Sequence, residues 1–116
     1  MELLLKLVIY VPETHANNIR AVLAEAGAGK IGKYDACSFS VKGVGRFRAL
    51  DGANPTIGTV GQLKAVDEER IETVCYERDA ERILTAVRNA HPYEEPAIDI
   101  YPLRTDLVLK SPHDDR

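Results

Sequence analysis

The chain has 116 residues, 45% of them hydrophobic and 28% charged, and a net charge of −3. That composition is an ordinary single globular domain, able to bury about two-thirds of the surface its unfolded form exposes, and it excludes a disordered or fibrous chain. Basic residues are scattered with no Lys/Arg stripe, which argues against a nucleic-acid partner.

The opening MELLLKLVIYV is interrupted by Lys6 and is far shorter than the roughly 20 apolar residues of a membrane span. Without a basic start or a small-residue cleavage site it is no signal peptide either, so a cytoplasmic protein with no membrane partner is expected. Leu3 to Val11, nearly all apolar and rich in β-branched residues, reads as a strand buried on both faces at the centre of a sheet. Pro12 ends it. Thr14 is placed to cap a helix whose apolar residues Ala16, Ile19, Val22, Leu23 and Ala26 recur three or four apart, and Gly27 stops that helix.

The run GAGKIGK (27–33) matches the spelling of a dinucleotide fingerprint, G-x-G-x-x-G. Such glycines hold phosphates only where a strand turns into a helix, because the helix N-terminal N–H groups must face the ligand. Here the run follows a helix and leads toward a strand, so no dinucleotide cofactor is expected. Tyr34 to Val41 reads as the second strand and Glu68 to Glu77 as the third. Asp79 is placed to cap a second helix with the stripe Ala80, Ile83, Leu84 and Val87, closed by His91-Pro92 because a residue before proline leaves the helical region. Ala97 to Leu103 is the fourth strand. The order βαββαβ predicts an α+β, ferredoxin-like fold, an antiparallel sheet with two helices on one face, over residues 1–103 with a tail at 104–116.

All eight glycines lie between residues 27 and 61, and the segment of about twenty residues joining strands two and three is long for a hairpin loop. It reads either as a functional loop or as a β-ribbon that extends the sheet toward another subunit. The tail carries one apolar patch, Leu107-Val108-Leu109, and His113 in a polar setting.

The fold order gathers distant residues at one end of the sheet. His15 opens the first helix, His91 closes the second, and Glu94 and Glu95 follow. Two imidazoles and two carboxylates on one rim are the donor types that hold a divalent ion such as zinc or copper, although their spacing matches no known ligand motif. Each also has a plainer reading, as a positioning hydrogen bond or a solvated charge. The two cysteines, Cys37 and Cys75, read as small buried hydrophobes on neighbouring strands. No hydroxyl or thiol stands beside a base and an orienting third residue, so no catalytic nucleophile emerges.

HPYEEPAIDIYPL (91–103) resembles the closing segment of the CutA divalent-cation tolerance proteins. A longer resemblance joins GAGKIGKYDACSF (27–39), GVGRF (43–47), NPTIG (54–58), EERIE (68–72) and HPYEEPA (91–97) to the inserted domain of the YqfO-like dinuclear-metal proteins, often labelled GTP cyclohydrolase I type 2. It covers residues 4–103, with Lys33 standing where that family commonly has Asn. The resemblance implies a PII/CutA-like domain that usually assembles as a trimer. It does not imply hydrolase chemistry, because the family's dinuclear metal is held by residues flanking the insert. It further implies that ligands bind where the loop 43–61 meets His91 to Pro96, with Gly43, Gly45, Phe47, Pro55, Ile57, Gly58 and Tyr93 as ligand-binding candidates. The resulting expectation is a cytoplasmic, trimeric binding protein without catalysis of its own, sensing or sequestering a small ligand or divalent metal. The alternatives are a metal-dependent hydrolase acting on a nucleotide or pterin-like substrate, and a module that docks on a protein partner through 43–61.

Overall fold

A nine-residue run that is apolar but for Lys6, Leu4–Pro12, forms β1, and its apolar character places it inside the sheet, between β3 and β4. The computed structural model describes residues 2–104; the apolar patch at 107–109 and His113 lie outside them. The remaining elements are α1 (Glu13–Glu25), β2 (Phe39–Arg48), β3 (Leu63–Tyr76), α2 (Glu77–Ala90) and β4 (Ile98–Pro102). The strand order is β2-β3-β1-β4, antiparallel at every junction, the ferredoxin-like arrangement.

Strand alternation divides the sheet into two faces. Leu5, Leu7, Ile9 and Val11 of β1, with Ile71 and Cys75 of β3, meet Ala16, Ile19 and Leu23 of α1 and Ile83 and Val87 of α2. Each Leu, Ile or Val side chain among them contributes about 1.5–3 kcal/mol by leaving water. The opposite face carries no helix. Directly opposed residues of an antiparallel pair share a face, so the register brings Tyr10, Arg70 and Val41 together there, followed outward by Glu68 opposite Gly43, then Gly45 and Phe47.

Both helices begin earlier than their sequence suggests. Pro12 and Tyr76 are the N-caps, and neither makes a side-chain cap bond. The strands run into the helices with no linker, leaving Thr14 and Asp79 inside the first turns. There Thr14 pairs with His15 and Asp79 with Arg82, and Glu13, Glu77 and Asp79 favour the positive end of the helix dipole. Gly27, at φ +100°, follows the end of α1 as expected.

The second strand is displaced. Residues 31–34 form a tight turn in which Ile31 and Tyr34 exchange backbone hydrogen bonds of 2.9 Å, and β2 starts only at Phe39. It then continues through the glycines to Arg48, paired residue for residue with Leu63 to Glu72 of β3. Much of the expected loop is therefore a two-stranded ribbon, and residues 49–62 alone connect its strands. The 14-residue β3, at about 3.3 Å per residue, accounts for most of the 57 Å long axis of a molecule 25 and 24 Å across. Among the described residues no helix is long and apolar enough to cross a membrane.

Candidate functional site

Proline at 92 ends α2 at Ala90, and His91 turns out of the helix with ψ 136°. Its buried ring bridges two backbone groups. Nδ1 accepts from the Tyr93 N–H at 3.1 Å, so the proton sits on Nε2, which donates to the Tyr10 carbonyl at 2.7 Å. The neutral ring thus ties the turn after α2 to the centre of the sheet. Burial is the main force holding the His91 pKa below its ordinary value, helped by the charge of His15 and opposed by the Tyr10 carbonyl and Glu68.

That turn delivers Tyr93 to the helix-free face. Its ring lies 5.2 Å from His91 and meets Phe47 edge-on at 5.8 Å. Its hydroxyl donates to Glu68 Oε2 at 2.8 Å. Burial first, then the hydrogen bond and charge of Glu68, raise the Tyr93 pKa far above the ordinary tyrosine value. Glu68 is 8% exposed, and it fits because position 45 has no side chain: a Cβ on Gly45 would overlap Glu68 Oε1.

The connection 49–62 folds back against the same turn. The Asn54 N–H donates to Glu94 Oε1 at 3.2 Å, and the Thr56 hydroxyl donates to the Pro92 carbonyl at 2.7 Å. Between ribbon, connection and turn lies a cavity of about 430 Å³, within the range of small-molecule sites. Tyr10, Phe47, Pro55, Ile57 and Tyr93 form its walls, with Glu68, Glu94 and Glu95 among its charged lining residues.

Of the ligand candidates, Gly45, Phe47, Pro55, Ile57 and Tyr93 line this cavity. Gly43 borders an adjoining groove with Tyr10 and Glu68. Gly58 lines neither; at φ +94° it shapes the connection, packed near Phe47 and Lys64. Glu94 and Glu95 lie at the cavity, His91 lies behind Tyr93 with both ring nitrogens engaged, and His15 is hydrogen-bonded to Thr14. Among the described residues no group of three or more His, Cys, Asp and Glu side chains is arranged to hold a metal ion. Sequence reasoning missed Tyr10 and Glu68. An acid within EERIE looks like an outward charge on a strand, and only its pairing opposite Gly43 sets it beside the cavity.

No family model matches the chain. Individual relatives do. A GTP cyclohydrolase 1 type 2 homolog of Halalkalibacterium halodurans is 47% identical over 105 residues, 90% of this chain and 28% of that protein. The Mycobacterium tuberculosis protein of the same name is 53% identical over 98 residues, 84% of this chain and 26% of its own length. The chain is homologous to one segment of the GTP cyclohydrolase 1 type 2 homologs. It spans about a quarter of the length of these curated relatives. Among solved structures, a Bacillus cereus protein related to NIF3 matches this segment with a TM-score of 0.77 and 44% identity, over 88% of this chain and 26% of that one. The divalent cation tolerance protein CutA of Archaeoglobus fulgidus matches with a TM-score of 0.62 and 17% identity, over 86% and 83% of the two chains. The PII-like CutA of Nostoc gives 0.65 and 16%, over 94% and 86%. At such identities the CutA likeness establishes the fold alone, whereas the GTP cyclohydrolase 1 type 2 homologs share sequence as well.

Proposed function

We propose that this chain is a non-catalytic, cytoplasmic binding domain that senses or sequesters a small ligand in the cavity between the 49–62 connection and the 91–97 turn. The observation that carries the reading is the cavity itself: about 430 Å³, walled by aromatic and aliphatic side chains and closed by two hydrogen bonds from the connection to the turn. A divalent ion is the second candidate occupant, favoured by the carboxylates of Glu94 and Glu95 at the cavity and by the name of the CutA proteins that share the fold.

A homo-oligomer, specifically a trimer, is part of the same proposal. It is supported by the helix-free face, where Phe39 is 64% and Tyr101 51% exposed, and by two sheet edges, β2 and β4. The test is native mass spectrometry of protein purified without chelator, reading subunit number and retained mass together. A trimer carrying a small molecule or metal ion is expected. A bare monomer that takes up neither from a metabolite extract nor from zinc or copper solution overturns the reading.

A further inference from the structure

Glu68 is a carboxylate that the protein itself leaves half served. One oxygen accepts from the Tyr93 hydroxyl; among the described residues no second donor reaches the side chain, and it makes no ion pair. Yet the group is 8% exposed and lines the cavity at the point where Gly45 has cleared a place for it. Among the described residues no buried side-chain oxygen is left without a partner, so the second Glu68 oxygen is not sealed in the interior but open to the cavity, where a ligand's donor can take the place of solvent. The surrounding charge has the same sense. Glu94 and Glu95 also line the cavity, while the only cationic residue in its lining is Arg46. Three carboxylate residues thus stand against one cation among the described lining residues. The flanking walls are the rings of Tyr10, Phe47 and Tyr93, which take a flat or cationic body.

We infer that the ligand of this cavity is an organic cation with a flat apolar body, whose amidinium-like or ammonium N–H donors engage the free oxygen of Glu68 while its ring lies against Phe47 and Tyr93. The inference rests on the binding role proposed above and gives that role a chemical class. It also sets the site against phosphates and other anions, which three carboxylates repel.

Three probes of one shape separate the two levels of the proposal: benzamidine (cationic), benzamide (neutral) and benzoate (anionic), each titrated into the full chain while backbone amide NMR shifts of Gly45, Phe47 and Tyr93 are followed. The expected result is benzamidine binding at least about tenfold tighter than benzamide, as for a charge-assisted hydrogen bond, and no binding of benzoate. In Glu68→Gln the benzamidine preference disappears while benzamide binding is kept. If that variant does not fold, the wild-type ratio decides alone. Benzamide or benzoate binding as tightly as benzamidine overturns the cation inference and leaves the cavity a binding site. Failure of all three to shift the cavity amides overturns both.

Discussion

Gly45 and Gly43 sit two residues apart on the same face of β2, and alanine is expected to act oppositely at the two. At Gly45 the new methyl displaces the Glu68 carboxylate from beneath Tyr93, costing about 1–3 kcal/mol through a buried polar group left without its partner. At Gly43 a Cβ meets nothing, and alanine stiffens the unfolded chain, giving a neutral to slightly stabilising change of about 0.5 kcal/mol. Urea unfolding of both variants measures the contrast. The titrating side chains set the limits in pH. The folded state raises the Tyr93 pKa above the ordinary value of 10.0, so this contribution is full below that pH and is lost as pH rises beyond it. The folded state lowers the His91 pKa from 6.5, so that contribution is full above pH 6.5 and is lost as pH falls. Stability should therefore decline on both flanks, with Tyr93→Phe flattening the alkaline side and His91→Gln the acid side in urea midpoints taken across pH.

At the scale of elements, the ribbon and its connection have separate duties. The strands of the ribbon are held by a continuous ladder from Phe39–Glu72 to Arg48–Leu63, while the connection reaches the rest of the molecule through Asn54 and Thr56. Replacing 49–62 by a short turn is expected to keep the circular-dichroism spectrum and to shift stability by no more than about 1–2 kcal/mol, the two lost hydrogen bonds. Small-ligand uptake, read by native mass spectrometry, should be abolished. The helices and β1 were legible in the sequence because their apolar spacing follows the 3.6 and buried-strand patterns. The ribbon was not. In KGVGRFR the glycines erase the alternation that marks a strand, and what makes it one is the partner strand 63–72.

The whole molecule presents one sheet face to helices and the other to its surroundings. A domain of this size with Phe39, Val41 and Tyr101 uncovered has apolar surface that a second copy can bury. Sedimentation equilibrium is expected to report a trimer for the wild type. Phe39→Glu, on the helix-free face at an edge strand, should shift it toward monomer without changing the circular-dichroism spectrum. A wild-type monomer at micromolar concentration would remove the oligomer from the proposal.

What the sequence determined by itself is the order of elements, the strand that occupies the sheet interior, the helix faces that meet it and the end of α2 at His91-Pro92. All follow from local spacing, from proline's restriction of its neighbour, and from the inability of a nine-residue apolar run to face water. The words GVGRF, NPTIG and HPYEEPA also pointed to the stretches that border the cavity. Tertiary structure alone decided the site's contents. It set Glu68 across from Gly43 and over Gly45, brought Tyr10 under His91, engaged both nitrogens of that histidine and turned Tyr93 toward the cavity. Apart from the local bond from the Tyr93 N–H to His91, each of those contacts joins residues more than twenty positions apart or depends on strand register, and a register is chosen by the packing of two strands together, which neither strand's own sequence records.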